Sequence, residues 1–236
     1  MQHIPGVPII DISHEVQPYN AAQAAYLLAS AYRNFPTGTC HVVLLDFFSV
    51  SPCKLILYQY KDFYFLCTGN SVIPLALETD SFDAWLCYEL NPAETFRDWL
   101  FAATRILQKL QTRKPNELKL KPYHSKKVSE NYLPLPETNY LKCEVIHIDS
   151  YENVVLNITT QQLQSYNKGK VFRLQFTGME EINGISADYN DVRAGYKLCR
   201  FNGNGYLEIC INRGKAASLF GLKPGGKFND VKIFFE

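Results

Sequence analysis

The apolar residues of this chain fall into two kinds of run, and the change from one to the other divides it. Residues 8–13, PIIDIS, form a short apolar run with a β-branched bias and predict a buried strand. In the next stretch, PYNAAQAAYLLASAYRNFP, Asn20 is a good N-cap, and Ala24, Leu27, Leu28, Ala31 and Tyr32 fall at helical spacing. Pro36 and Gly38 stop that helix, and HVVLLD (41–46) reads as the next strand. Strand, helix and strand in this order make the parallel crossover unit of an α/β sheet. LILYQY and FYFLCTG, joined by Lys61-Asp62, predict an antiparallel hairpin beside it. A short helix over SVIPLALE, a strand over WLCYEL and a helix over 93–111 complete a first domain, 1–111, expected to hold a largely parallel sheet with flanking helices.

Residues 112–140 lose the apolar period and gain prolines and lysines, the composition of a linker or wrapping arm. From Leu141 the pattern turns to short strands: CEVIHID and NVVLNIT around the turn SYEN, then VFRLQFTG, KLCRFNGNGYLEICIN and VKIFFE. KAASLFGL is the one clear short helix, closed by Gly221. Many short strands with Gly and Asn turns predict a small β-barrel-like second domain, 141–236.

Composition narrows the partners. A net charge of +1 gives no electrostatic reason to expect nucleic acid or an anionic membrane. The lysines of the linker are interspersed with acidic residues and lack the aromatic interleaving of a single-strand binder. Seven cysteines occur without CxxC or Cys/His metal spacing, most of them in or beside apolar strand-like runs, as free cytosolic thiols do. Neither a disulfide framework nor a zinc site is expected. No charged-then-apolar leader and no apolar run long enough to span a bilayer is present, so a soluble cytoplasmic protein is expected. Asp46 is the candidate for chemistry, because a carboxylate that ends a buried strand can either cap it or react.

Several segments in order resemble one family: DISHEVQPYNAAQAAYLLASAYRNFPTGTCHVVLLD (11–46), GNSVIPLALE, ELNPAETF, EVIHIDSYENVVLNIT and FNGNGYLEICINRGKAASLFGL. Together they are similar to the S-adenosyl-L-methionine (SAM) hydroxide adenosyltransferases, or SAM hydrolases, relatives of the SAM-dependent fluorinases and chlorinases. The resemblance implies an α/β domain followed by a β-barrel domain and a homotrimer with SAM between subunits. It implies water attack at the ribose C5′ carbon, with methionine leaving as a neutral thioether and no metal or other cofactor. By matching position, Asp46 is the catalytic carboxylate, while Tyr19 and Phe96 are aromatic contacts of the ligand. Asp149 receives the methionine ammonium, with Tyr151 and Asn153 beside it. Asn204 and Asn212 fall where the family contacts adenine and the methionine carboxylate. For Tyr19 the residues alone also allow an aromatic stapled to the helix start; for the aspartate and the asparagines they allow ordinary turn chemistry.

The resemblance also shows departures. The family segment Val-Asp-Pro-Gly-Val-Gly, followed two residues later by Arg, survives here only as Asp46. Phe47 and Phe48 replace Pro-Gly, Val50 replaces the second glycine, and Cys53 stands at the arginine position. The family's Thr-Phe-His-Gly-Arg-Asp reads Thr95-Phe96-Arg97-Asp98, without the His-Gly pair. Lys54 is the nearest cation to the lost arginine, but alternation along a strand points it to the other face. The strand, Asp-bearing ribose loop and helix that precede PIIDIS in the family have no counterpart in this sequence, so the expectation is either that the protein starts further upstream or that another element covers that sheet edge. The reading is a family member that binds SAM or an adenosine derivative with a degraded catalytic set; the alternative is an active hydrolase forming adenosine and methionine. A halogenase is disfavoured, since Asp46 would repel a halide.

Overall fold

Burial and ladder pairing decide which expected strands form. A computed structural model describes residues 4, 6–47, 51–79, 81–124, 133–167, 169–225 and 229–235. They divide into two units, Met1–Ser129 and Glu130–Glu236.

The first unit is built on β1 (Cys40–Val43), β2 (Lys54–Tyr60), β3 (Phe63–Cys67), β4 (Asp83–Glu89) and β5 (Lys121–Pro122), in the order β1-β3-β2-β4-β5. Only β1 and β3 are parallel; the other three pairs are antiparallel. The sheet is therefore mixed rather than largely parallel. The hairpin at Lys61-Asp62 forms with Lys61 in the left-handed region. β2 is central and buried on both faces, as its run of apolar residues requires. Its Leu55 and Leu57 pack with Trp99, Ala103 and Ile106 of α3 (Phe96–Leu110). Trp99 is fully buried, and its Nε1 donates to the Lys54 carbonyl at 3.1 Å, so the indole carries no unpaired donor into the core. α1 (Ala21–Ala31) packs on α2 (Val72–Leu77), and the Asn20 side chain caps α1 by accepting from the Gln23 N–H at 3.0 Å.

PIIDIS does not form a strand. Ile9 and Ile10 are 79% and 63% exposed, and the segment joins no ladder among the described residues. Among the described residues β1 pairs only with β3, so the strand–helix–strand crossover expected between residues 8 and 46 does not form and β1 is an edge there. An extended segment without a ladder partner leaves its backbone groups to water, whatever its β-branched content. Part of the expected linker is also ordered: β5 pairs with β4, and the Tyr123 N–H donates to the Ala84 carbonyl at 2.8 Å.

The second unit contains β6 (Leu135–Pro136), β7 (Tyr140–Cys143), β8 (Val145–Ile148), β9 (Val154–Thr159), β10 (Phe172–Phe176), β11 (Glu180–Asn183), β12 (Lys197–Phe201), β13 (Tyr206–Ile211) and β14 (Val231–Phe235), with α4 (Thr160–Asn167) and α5 (Ala216–Phe220). These form two sheets, β11-β10-β14-β7-β6 and β12-β13-β9-β8, around one apolar core that includes Leu156, Ile158, Phe176, Leu207 and Ile233. Two open sheets replace the expected barrel, since no ladder joins them among the described residues. Gly221 closes α5 in the left-handed region, as its sequence predicts. All seven cysteines are free.

One buried titratable group bears on stability. His41 of β1 is 4% exposed, stacked on Phe65 at 5.4 Å and edge-on to Tyr32 and Phe35, and its Nε2 has no partner among the described residues. Desolvation pushes its pKa below the ordinary value. The unfolded chain therefore takes up the proton first, near pH ~6.5, and the fold loses stability as pH falls from there toward the lowered folded value. Replacing the imidazole by a benzene ring should remove this component. Thermal melting across that window should show the wild type losing ground against His41→Phe on acidification; parallel curves would contradict it.

Candidate functional site

In the first unit the site is built just past β1, which stops at Val43 rather than running on to Asp46 as expected. The Leu45 carbonyl accepts from Asn70 Nδ2 at 3.0 Å and from Thr68 Oγ1 at 3.3 Å. Asn70 Nδ2 also donates to Thr68 Oγ1 at 2.9 Å, and Asn70 Oδ1 accepts from the Val72 N–H at 3.1 Å at the start of α2. The next residue, Asp46, is half-buried with φ 51, a left-handed conformation that few non-glycine residues adopt. The Gly-Asn pair after β3 reads in the sequence only as a turn, so this support for Asp46 is visible only in three dimensions.

Phe47 then turns into the core. Its ring lies edge-on to Phe96 at 4.9 Å and to Trp99 at 5.4 Å, and Phe96 stacks on Trp99 at 6.5 Å. Asp46 and Phe96 are thus joined through one aromatic residue. Phe48 and Val50 lie outside the described residues. Cys53 is buried in the same apolar cluster, and desolvation pushes its thiol pKa up, so it supplies no charge. Lys54 lies with its Nζ 5.8 Å from the Tyr123 ring centre. Arg97 lies over Phe101 at 5.5 Å, and Asp98 closes the capping box with Thr95, accepting from its N–H at 2.8 Å and its Oγ1 at 2.9 Å. The segment 95–98 therefore serves as a helix start. Tyr19 stands on another element, just before α1, with φ 65 and 78% exposed. That exposure excludes the hydrophobic staple and leaves the ring open to solvent.

In the second unit, one end of the four-stranded sheet gathers most of the remaining candidates. The start of β12, the end of β13, the start of β9 and the end of β8 lie side by side there, bringing Asn212, Asn153 and Asp149 to one lip. Asp149 Oδ1 accepts from the Tyr151 and Asn153 N–H groups, each at 2.9 Å, and Oδ2 accepts from Asn153 Nδ2 at 2.9 Å. This is turn chemistry, yet a carboxylate has about four acceptor positions, so it keeps capacity for a ligand ammonium. Tyr151 is 75% exposed at the tip. Asn212 is buried: its Nδ2 donates to the Val192 carbonyl at 2.8 Å and its N–H to the Tyr196 carbonyl at 3.0 Å. Asn204 sits in the turn at the opposite end of β13, about 20 Å away at the rise of a strand. The chain does not bring Asn204 to Asp149.

Glu152, which the sequence presents only as a polar turn residue, ties this lip together. It adopts φ 64, and its carboxylate accepts from Lys215 Nζ at 2.8 Å and the Ser218 N–H at 3.0 Å. Its carbonyl accepts from the Ala217 N–H at 3.0 Å. The Asp149 turn is thereby fixed to the segment Arg213–Ser218. Gly214 is required in that segment, since a Cβ there would meet Ile211 Cγ2 at 2.4 Å. Among the described residues, no group of three or more His, Cys, Asp or Glu could hold a metal ion. The same residues include no helix long and apolar enough to cross a membrane.

The hydrogen bonds from Lys215 and Ser218 hold the Glu152 carboxyl down at about 2. Its stabilising contribution is complete above the ordinary glutamate value of about 4.3. It is lost as pH falls from there to about 2, because the unfolded chain binds the proton first. Urea midpoints followed by circular dichroism should therefore fall more steeply in this window for the wild type than for Glu152→Gln. Equal slopes would show that the clamp contributes nothing to the fold.

Comparison with known proteins shows the family. The SAM hydroxide adenosyltransferase N-terminal domain matches residues 1–113, and the C-terminal domain of the same family matches residues 143–229. The (R)-S-adenosyl-L-methionine hydrolase of Methanocaldococcus jannaschii is 25% identical over 224 residues, covering 91% of this chain and 79% of the relative. An uncharacterised conserved protein from Thermotoga maritima has a similar structure, with a TM-score of 0.77 and 25% identity over 99% of this chain and 90% of that one. A conserved hypothetical protein from Thermus thermophilus shares the fold at a TM-score of 0.69 and 19% identity, over 98% of this chain and 88% of that one. With both halves matched in order, the chain belongs to the SAM hydroxide adenosyltransferase family.

Proposed function

We propose that this chain is a ligand-binding member of its family, holding SAM or an adenosine derivative with little or no turnover. The observation that carries the reading is the packing after Asp46: Phe47 lies against Phe96 and Trp99, and Cys53 is buried as a neutral thiol. Phe47 occupies the position that the resemblance gives to the proline of the substrate loop, and Cys53 that of the arginine. Hydrolysis of SAM needs water in line with the C5′–S bond and an acceptor for its proton. The oxygen bonds to C5′, the C5′–S electrons go to sulfur, and methionine and adenosine result. Asp46 can accept the proton. Without the arginine and histidine the water is not held, and loss of such general-base help costs on the order of 10²–10⁴ in rate.

In this reading Tyr19 and Phe96 contact the ligand's ribose and methionine side, and Asp149 receives the ammonium beside Tyr151 and Asn153. Asn212 and Asn204 serve adenine and the methionine carboxylate. The separation of Asn204 from Asp149 along β13 counts against Asn204 serving the same ligand as Asp149. The second reading, an active hydrolase, is favoured by the built support of the Leu45 carbonyl beside Asp46 and by the activity named for the archaeal relative.

Incubating the full chain with SAM and separating the products by chromatography distinguishes the two. The binding reading predicts intact SAM, with adenosine no higher than in an Asp46→Ala control. Adenosine formation at least about a hundredfold above that control, the lower bound for a working general base, establishes the hydrolase instead.

A further inference from the structure

We propose that Asn70, together with Thr68, is the positioning residue that fixes the direction of the Asp46 carboxylate. The inference rests on the reading of Asp46 as the group that faces the ligand, and it adds residues to which no role in that site has been assigned.

Donors and acceptors fix the orientation of both side chains. Asn70 Oδ1 is committed to the Val72 N–H, so the amide can face only one way, with Nδ2 toward β1. Of its two N–H groups, one reaches the Leu45 carbonyl and the other Thr68 Oγ1. Accepting that bond leaves the threonine hydroxyl free to donate, and its acceptor is the same Leu45 carbonyl. Both lone pairs of one carbonyl oxygen are therefore filled by side chains that are themselves fixed. Thr68 is buried, and the Asn70 N–H donates to the Thr68 carbonyl at 2.8 Å, which holds the two residues to each other.

The peptide pinned in this way is the one between Leu45 and Asp46. Rotating it would break both bonds at once, so the plane that sets the Asp46 φ is over-determined. This accounts for an aspartate at φ 51, where the left-handed region favours glycine and strain persists only under such constraint. A carboxylate that must meet a ligand or water needs its direction fixed to within about 10–20°. β1 is a four-residue edge strand and cannot supply that alone. The network ties its end to β3 and α2, the two elements behind it.

A purely structural alternative is that Asn70 only caps α2. Asn70→Asp separates the two roles, because it keeps an acceptor for the Val72 N–H and removes both donors. Thr68→Val removes one donor with no change of charge and serves where Asn70→Asp melts at a much lower temperature. Two measurements on the full chain decide. The three-bond HN–Hα coupling of Asp46, read by nuclear magnetic resonance, reports its φ without any ligand and should change in both variants. The affinity for SAM should fall about tenfold in Asn70→Asp, and no further when Asp46→Ala is added to it than in Asp46→Ala alone. An Asp46 coupling unchanged in both variants overturns the proposal, as do losses of affinity that add. If the wild type binds neither SAM, adenosine nor methionine, the functional reading falls by itself, and the coupling alone decides the positioning role.

Discussion

The end of β1 is the constraint on which the candidate site depends. One carbonyl, that of Leu45, receives two fixed donors, and the chain leaves it through a left-handed aspartate. The residue after that aspartate decides what the site can do. Phe47 packs edge-on against Phe96 and Trp99. Hydrogen bonds thus support the residue before Asp46, while the residue after it packs among aromatic rings.

The second unit solves a related problem by different means. Four strand ends meet at one lip, and the polar residues there are mostly committed to holding backbone: Asp149 to its own turn, Asn212 to the Val192 carbonyl. Glu152 locks the turn to the α5 segment through Lys215 and Ser218, so the lip is held by hydrogen bonds within the unit. Such preorganisation reduces the ordering cost of binding. The Tyr151 N–H joins this network through Asp149, while its ring stays exposed at the tip.

Local signals in the sequence were readable and non-local ones were not. The Lys61-Asp62 hairpin, the Asn20 cap and the Gly221 stop are each decided within a few residues, and each forms as expected. PIIDIS has the composition of a strand, but a strand needs a neighbour, and no run of residues reveals whether one is present. α4 escaped because only Leu163 of its residues is buried, leaving no apolar period to detect. β7 and β11 are short and mix polar with apolar positions. In the site, the Asp149–Asn153 pairing was legible because four residues span it. The support of Asp46 comes from residues 23 and 25 positions after Leu45, and Gly-Asn there has no signature beyond a turn.

Retention of the ligand without the reaction is tested most directly by isothermal calorimetry of the full chain titrated with SAM, followed by chromatography of the ligand recovered from the cell. Saturable heat with SAM recovered intact is the predicted result. Absence of any binding heat, or recovery of adenosine and methionine in place of SAM, would contradict it.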